Sequence, residues 1–210
     1  MEVRHLYFQH HKKAPYFFKD LCFHLEEGKL HALHGKNGIG KTVLLNILSR
    51  RLEKEALVEG EIIGEKISLV NQRFDLAIAD QFSFLENLKF GYLNFFPNLF
   101  SRLKPPPFFP EFLEKFHIDV SMPAYKLSGG QRQILALLMQ LQKETKILLL
   151  DEPTAALDEQ NALMVFDFLQ SLQGITFLIV CHDRELINRF VTGKQLYMEM
   201  GADCLRILRE

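Results

Sequence analysis

The chain has 210 residues, 48% hydrophobic and 24% charged, a balance that provides a core for a compact domain and excludes a disordered protein. The formal net charge is -1, from 25 Lys and Arg against 26 Asp and Glu, so no basic field indicates a nucleic acid or an anionic membrane as a partner. The three cysteines form no CxxC pair, so they indicate neither a disulfide framework nor a zinc site and favour a reducing cytosol; they are Cys22, Cys181 and Cys204.

The chain begins with strand and turn signals. Short strands are predicted within residues 1–34, and the last of them, KLHALHG, ends on a glycine-rich turn. From Lys41 the apolar residues of KTVLLNILSRRLE recur with helical spacing, so the turn joins a strand to a helix. Two more strand-like segments follow, EGEIIG and EKISLVNQ.

The middle of the chain, residues 73–125, is rich in phenylalanine and broken by prolines, which predicts an inserted helical lobe. Strands and helices then alternate again, and the apolar runs ILLL and FLIV are typical of strands buried on both faces of a parallel sheet. We therefore expect an α/β fold with a mainly parallel sheet, a small antiparallel β part and a helical lobe. Within a single domain of residues 1–210, the core is assigned to 1–72 and 141–210 and the lobe to 73–140.

Residues 35–42 read GKNGIGKT and satisfy the GxxxxGK[ST] pattern between a predicted strand and a predicted helix. In that context backbone amides and the helix start can close around phosphate oxygens, which a chance glycine loop would not do. We expect Lys41 to reach the β- and γ-phosphates and Thr42 to hold Mg²⁺. The candidate nucleotide-binding residues of this loop are Gly35, Asn37, Gly38, Gly40, Lys41 and Thr42.

Residues 147–152, ILLLDE, form a predicted buried strand that ends in two carboxylates. The strand would deliver both to the carboxyl edge of the sheet, beside the glycine-rich turn. We expect Asp151 to hold the Mg²⁺ shell and Glu152 to take a proton from an attacking water. The alternative is an ordinary acidic pair that caps the following helix.

A third motif, LSGGQ at residues 127–131, stands shortly before that strand and resembles the signature sequence of ATP-binding-cassette proteins. The other motifs of this family follow in order. Gln72 resembles the Q-loop, residues 155–158 resemble the D-loop, and His182 matches the switch histidine that contacts the γ-phosphate. The resemblance covers essentially the whole chain and excludes a P-loop kinase.

This resemblance implies a P-loop NTPase fold, ATP and Mg²⁺ as ligands, and ATP hydrolysis. Family members pair head to tail, so that the signature of one subunit covers the γ-phosphate held by the other. The residues implied in that contact are Ser128, Gly129, Gly130, Gln131 and Asp158. It also implies that Gln72 joins Thr42 and Asp151 at the metal, and that Gln72 and His182 assist Glu152 in catalysis.

The aromatic residue that stacks on adenine in this family should lie at the end of the first strand. Phe8 and Tyr7 compete for this role, with Tyr16 as a third candidate, and core packing is the alternative for each. We favour Phe8 because of its distance from the FKDL segment.

Residues 90–116 concentrate phenylalanine in the lobe that family members use to dock a cytoplasmic helix of the membrane subunit. One interpretation is an exposed docking patch, since an apolar groove can accept a helix. The other is that these phenylalanines form the core of the lobe.

Together these features predict the ATP-hydrolysing subunit of an ABC transporter that powers a separate membrane permease, with small-solute import favoured. No stretch approaches the ~18 apolar residues of a membrane helix and the first residues do not resemble a signal peptide, so we expect the subunit on the cytoplasmic face of the cell membrane. The expected partners are a second copy or a paired cassette, the permease, and an extracytoplasmic binding protein. The alternative is a soluble ABC ATPase acting on DNA or ribosomes, whose usual second cassette, coiled-coil insertion or basic tail is not visible here.

Overall fold

The computed structural model describes residues 1–70, 78–91, 113–141, 145–155, 157–201 and 205–209. The chain divides into two compact units. The first comprises Met1–Gln72, Glu144–Ala155 and Leu172–Glu210, and the second comprises Arg73–Lys143 and Ala156–Ser171. The segment 156–171, which the sequence division places with the core, belongs to the second unit, where its helix packs on the helix that follows LSGGQ.

The strands lie in the first unit and begin and end close to their predicted positions. They are β1 Glu2–Gln9, β2 Phe18–His24, β3 Leu30–His34, β4 Leu57–Ile63, β5 Ile67–Val70, β6 Ile147–Asp151, β7 Thr176–Val180, β8 Gln195–Met200 and β9 Arg206–Arg209. Within the described residues they form one sheet in the order β4-β1-β2-β9-β8-β3-β7-β6-β5.

The sheet has a parallel and an antiparallel part, as expected. Strands β8, β3, β7, β6 and β5 are parallel to their neighbours in that order, whereas β1 pairs antiparallel with β2 and β4, and β8 pairs antiparallel with β9. Every residue of β6 and β7 is buried, which explains their continuous apolar sequences. The parallel strands therefore deliver the residues that follow them to one edge.

Among its described residues the first unit has two helices, α1 at Lys41–Leu48 and α5 at Arg184–Phe190. Helix α1 buries Leu44, Leu45 and Leu48 in the core beneath the sheet, and each such side chain contributes roughly 1.5–3 kcal/mol. The sequence pattern extended this helix through the segment SRRLE. Helix α1 ends at Leu48 instead, because Arg50 takes a left-handed conformation with φ 59°.

The second unit contains α2 at Phe84–Gly91, a 3₁₀ turn at Ala124–Lys126, α3 at Gly129–Gln140 and α4 at Glu159–Ser171. Helices α2 and α3 approach closely, since a Cβ on Gly91 would lie 2.7 Å from the Met139 backbone. Phe116 is buried and packs edge-on against Phe168 at a ring-centroid distance of 6.2 Å. The lobe predicted from the phenylalanine-rich sequence is thus helical where it is described.

The docking hypothesis for residues 90–116 is tested at only a few positions, because residues 92–112 lie outside the described residues. Phe90 is 53% exposed and stacks on exposed Phe82, which agrees with a docking patch. Phe116 is buried, which agrees with a core position in the lobe. Among the helices that the structure describes, none is both long and apolar enough to cross a bilayer.

Candidate functional site

The glycine-rich loop between β3 and α1 has a backbone that side chains would obstruct. Gly35, Gly38 and Gly40 have φ values of 151°, 75° and 118°, in the region that favours glycine. A Cβ on Gly40 would lie 2.6 Å from the Phe17 ring. Helix α1 begins directly after Gly40 and no side chain caps it, so the amides of its first turn are available to an anion.

Lys41 is buried within this loop. Its ammonium donates to the carbonyl oxygens of Gly35, at 2.7 Å, and Lys36, at 3.1 Å. Burial lowers the pKa of Lys41 from its ordinary value, and the nearby carboxylates of Glu152 and Asp151 counteract that effect. The loop thus concentrates a positive charge beside an uncapped helix start, the arrangement that binds phosphate.

Thr42, in the first turn of α1, and Asp151, at the end of β6, hold two potential metal-binding oxygen atoms side by side. The Thr42 hydroxyl donates to Asp151 Oδ2 at 2.7 Å. Burial raises the pKa of Asp151, and the negative charge of Glu152 adds to this, while the Thr42 hydrogen bond and Lys41 act in the opposite direction. A buried carboxylate beside a hydroxyl fits Mg²⁺, which binds oxygen ligands through one or two carboxylates and phosphate oxygens.

Glu152 follows β6 in a strained conformation, with φ 50°. Such a conformation costs on the order of 1–3 kcal/mol for a residue with a side chain. The Glu152 amide donates to the Val180 carbonyl at 3.0 Å, and the Glu152 Oε1 atom lies 3.1 Å from His182 Nε2. The ends of β6 and β7 therefore bring the predicted base and the predicted switch histidine into contact.

A cleft of about 220 Å³ opens beside these groups and is lined by Asn37, Gly38, Gly40, Lys41, Thr42, Val43 and Glu152. A larger cleft of about 500 Å³ lies at the amino ends of the parallel strands, where Ile147 and Thr176 begin β6 and β7. The chemistry-bearing residues converge on the smaller cleft, as expected for the carboxyl edge of a parallel sheet. Gln72, the third predicted metal and catalytic residue, lies outside the described residues.

The LSGGQ motif forms the start of α3 in the second unit, and here the helix is capped. Ser128 accepts a hydrogen bond from the Gln131 amide at 3.2 Å, and Gln131 Oε1 accepts one from the Ser128 amide at 3.0 Å. The Gln131 side chain also donates to the carbonyl oxygens of Phe116 and His117. A Cβ on Gly129 would lie 2.9 Å from the Leu157 side chain, so the motif is closely packed.

Asn161 links this motif to Asp158, and sequence reasoning missed it. Asn161 Oδ1 accepts hydrogen bonds from the Ser128 hydroxyl at 3.1 Å and the Gly130 amide at 3.0 Å. The Asn161 amide and side chain donate to Asp158, whose pKa is lowered by these hydrogen bonds. Asp158 precedes α4 and accepts a hydrogen bond from the Asn161 amide in the first turn of that helix. An aspartate just before a helix, with asparagine at the third helical position, is a capping pattern. This pattern was the sequence signal that could have revealed Asn161.

Phe8, the residue favoured for stacking on adenine, is buried in the structure, and its stacking role stays a prediction. Phe8 is 3% exposed and belongs to the core, where it packs edge-on against His10 and Phe17, so little of its ring is open to a ligand. Tyr7 is half-buried and contacts exposed Tyr16, at a centroid distance of 5.8 Å.

A stacked pair next to the glycine-rich loop was also missed. The Arg206 guanidinium lies 3.5 Å from the centroid of the Phe17 ring, and Arg206 Nε donates to the Ile39 carbonyl at 3.0 Å. Phe17 is half-buried, and its ring lies so close to Gly40 that a side chain at that position would clash with it. No sequence signal connects Arg206 to residues more than 160 positions earlier, because β9 reaches this place only through the sheet order.

Comparison with known proteins gives a consistent result. The sequence profile of the ABC transporter family matches residues 18–155. A Bacillus cereus protein (strain ATCC 10987 / NRS 248), named as an ABC transporter ATP-binding protein, is 29% identical over an alignment of 201 residues that covers 91% of this chain and 36% of that protein. The chain thus spans about a third of the length of this curated relative.

Solved structures share the fold. The chain resembles cbiO1 from Clostridium perfringens, part of the ABC transporter complex cbiONQ, with a TM-score of 0.74 and 22% identity, covering 100% of this chain and 86% of that one. It also resembles a bacterial ABC transporter cassette solved as a dimer, with a TM-score of 0.63 and 23% identity, covering 93% of both chains. At these identities the likeness describes the fold alone.

Proposed function

Because the chain belongs to the ABC transporter family, we propose that it binds Mg-ATP on the loop of residues 35–42, hydrolyses it as a head-to-tail dimer and powers a separate membrane permease. The observation that carries this proposal is the convergence of four groups at the carboxyl edge of the sheet. These are the buried Lys41 ammonium, the Thr42–Asp151 pair, the Glu152 carboxylate and the uncapped start of α1.

In this proposal the loop binds the triphosphate through its amides. Asn37, Gly38 and Gly40 line the cleft. Lys41 exchanges its bonds to two loop carbonyls for bonds to the β- and γ-phosphate oxygens. Thr42, Asp151 and Gln72 would hold Mg²⁺, which supplies charge neutralisation of the phosphate oxygens when bound. The buried position of Asp151 suits this role, because a bound cation offsets the cost of its charge.

Glu152 is the proposed general base. It takes one proton from a water whose oxygen bonds to the γ-phosphorus, while the bond from that phosphorus to the β-bridging oxygen breaks and leaves ADP. His182 Nε2 lies against the Glu152 carboxylate and holds this carboxylate in position. The other ring nitrogen of His182 is then available to contact the γ-phosphate. The strained backbone of Glu152 is consistent with a group that is positioned for chemistry.

The start of α3 supplies the proposed contact between subunits. In a head-to-tail dimer, Ser128, Gly129, Gly130 and Gln131 of one chain would face the γ-phosphate held by the other, with Asp158 beside them. To bind that phosphate, the Ser128 hydroxyl and the Gly130 amide must leave the Asn161 oxygen that they contact now. The cassette that was solved as a dimer supports this pairing. Both a homodimer and a pair with another cassette are compatible with it.

The partner is proposed to be an integral membrane permease, with the chain peripheral on the cytoplasmic face of the membrane. The similarity to cbiO1, part of a transporter complex, and the curated relative named as a transporter component support this role. Small-solute import, with an extracytoplasmic binding protein, remains the favoured direction of transport.

Two measurements test the proposal. Phosphate release from ATP by the purified chain should require Mg²⁺ and should rise more steeply than linearly with protein concentration, because two chains form each active site. Membranes of the native cells, washed free of the chain, should rebind it, whereas pure lipid vesicles and protease-treated membranes should not. Hydrolysis strictly proportional to protein concentration by a chain that stays monomeric over the same concentrations would contradict the dimer. Equal binding to pure lipid would contradict the permease.

A further inference from the structure

The exposed face of β1 and β2 in the first unit carries three metal-ligating side chains that the ATP site does not use. They are His5, Asp20 and Cys22, and one ligand atom of each lies within 4.8 Å of the others. His5 Nδ1 lies 2.7 Å from Asp20 Oδ1 and 3.9 Å from Cys22 Sγ. All three residues are exposed, so an ion from solution can reach them.

The first reason for this grouping is a bulge in β1. Val3 pairs with Phe23 and Leu6 pairs with Leu21, so β1 has one more residue than β2 between these two pairs. His5, in this interval, has a left-handed φ of 49°. The bulge turns the His5 side chain to the same exposed face as the β2 side chains opposite it.

A second bulge, in β2, follows immediately. Leu6 pairs with Leu21 and Phe8 pairs with Phe18, so here β2 has the additional residue. Asp20 lies in this interval and has a left-handed φ of 57°. The two bulges restore the overall register, and together they place His5 and Asp20 side by side.

Neighbouring strand β4 accommodates this backbone. Gly60 has a φ of 105°, and a Cβ at this position would clash with the carbonyl oxygen of His5. Left-handed conformations in residues with side chains cost on the order of 1–3 kcal/mol each and cluster at ligand sites. His5 and Asp20 are strained within strands and not in a turn. Their strain therefore occurs where the three ligand side chains meet.

The chemistry of the three groups is that of a zinc site. Thiolate, imidazole and carboxylate bind Zn²⁺ at about 2.0–2.3 Å, which in tetrahedral geometry separates the ligand atoms by about 3.3–3.8 Å. The His5–Asp20 and His5–Cys22 distances lie on either side of this range, so small side-chain rotations suffice. The His5 amide already donates to Cys22 Sγ at 3.2 Å, an outer hydrogen bond of the kind that orients a metal ligand.

We propose that His5, Asp20 and Cys22 bind one Zn²⁺ ion, with water in the fourth position. The site lies on β1 and β2, which precede the glycine-rich loop in the sequence. It adds metal binding to the proposed ATP hydrolysis. The cysteine spacing gave no indication of it because the ligands come from two strands and are 15 and 17 residues apart. Only the paired bulges bring them together.

The test uses the full chain, reduced, stripped of metal by a chelator and free of nucleotide, so that its outcome does not depend on ATP hydrolysis. Co²⁺, a spectroscopic substitute for Zn²⁺, should bind one ion per chain and give the intense absorption of a thiolate bound to cobalt. Zn²⁺ should abolish that absorption by competition. Cys22→Ser should remove it, and His5→Ala should weaken Zn²⁺ binding at least about 10-fold.

Matched controls separate this site from the other thiols and imidazoles. A Cys181→Ser, Cys204→Ser double variant and a His11→Ala variant should keep the wild-type absorption and affinity. Circular dichroism should show the same fold in Cys22→Ser, His5→Ala and His11→Ala, since these residues are exposed. Absence of the absorption in the wild-type chain, its persistence in Cys22→Ser, or unchanged Zn²⁺ affinity in His5→Ala would each overturn the proposal.

Discussion

Two helices in the described part of the chain, α1 and α3, start at or directly after a glycine residue, and they differ in how the hydrogen-bond donors at their starts are used. The start of α1 has no side-chain cap and lies beside the buried Lys41 ammonium. The start of α3 is capped by Ser128 and Gln131, and Asn161 accepts from both Ser128 and Gly130. The first can receive an anion as it stands, whereas the second must first release contacts within its own unit.

This difference suits the two proposed tasks. A loop that binds nucleotide in a single chain benefits from open backbone donors, because the amides at the start of α1 have no side-chain cap to leave and only Lys41 exchanges internal partners. A surface that should bind only a phosphate held by another chain benefits from internal partners, which satisfy its donors until the dimer forms. Substitutions at the two helix starts should therefore act on different measurements.

The largest effect is expected at the open helix start. Lys41→Ala removes the charge that contacts the phosphates, so ATP hydrolysis should fall to background while the fold persists. The measurements are phosphate release and circular dichroism, with Lys36→Ala as a control in the same loop. An ATPase rate in Lys41→Ala equal to that of the wild type would contradict the assignment of this loop.

Blocking ATP hydrolysis at Glu152 separates nucleotide binding at the start of α1 from dimer formation at the start of α3. Glu152→Gln keeps the shape of the side chain but cannot accept the proton, so hydrolysis should fall by ~10²–10⁴-fold while ATP binding survives. Unhydrolysed ATP should then hold two chains together, as measured by size-exclusion chromatography with light scattering in the absence of Mg²⁺. Glu159→Gln, at an exposed position, is the control for the loss of a carboxylate.

Adding Ser128→Arg to Glu152→Gln should abolish that ATP-dependent dimer, because the bulk and charge of arginine block the capped helix start. ATP binding by the single chain should be unchanged, since its own loop is intact. A dimer that forms equally well with Ser128→Arg would contradict the head-to-tail geometry.

A smaller and opposite effect is expected for Asn161→Ala. It removes the acceptor that occupies the Ser128 hydroxyl and the Gly130 amide, so stability should fall by about 1 kcal/mol. Because these donors no longer have to leave Asn161, the ATP-dependent dimer of Glu152→Gln should become tighter by a few-fold. The dimer dissociation constant is the measurement, and Gln160→Ala is the neighbouring control. A weaker dimer would show that Asn161 supports the contact instead of competing with it.

The smallest effect concerns stability and pH. Burial raises the folded-state pKa of Asp151 above its ordinary value, so the folded chain binds more protons than the unfolded chain between the two values, and stability falls as pH rises through this window. Asp151→Asn removes the buried charge and should unfold at a higher temperature than the wild type at neutral pH. The gain should disappear below the ordinary pKa of aspartate. Thermal unfolding without nucleotide or Mg²⁺ measures it, and an equal gain at all pH values would contradict this cause.

The sequence predicted what local patterns determine. The apolar runs of β6 and β7 and the glycine pattern of residues 35–42 predicted the parallel strands, the loop and the position of Asp151 beside Thr42 at one edge of the sheet. It could not give contacts that depend on packing or sheet order. The burial of Phe8 could not be predicted because strand position does not reveal burial, and Arg206 was missed because β9 is inserted between β2 and β8.

The bond from Arg206 to the Ile39 carbonyl has a consequence for how the protein is made. The two residues are 167 positions apart, and chains are synthesised at about 5–20 residues per second. The glycine-rich loop therefore emerges from the ribosome on the order of ten seconds or more before the strand that supports it. During that interval the loop of the proposed ATP site lacks its hydrogen bond from Arg206, and it can gain this contact only after β9 has been synthesised.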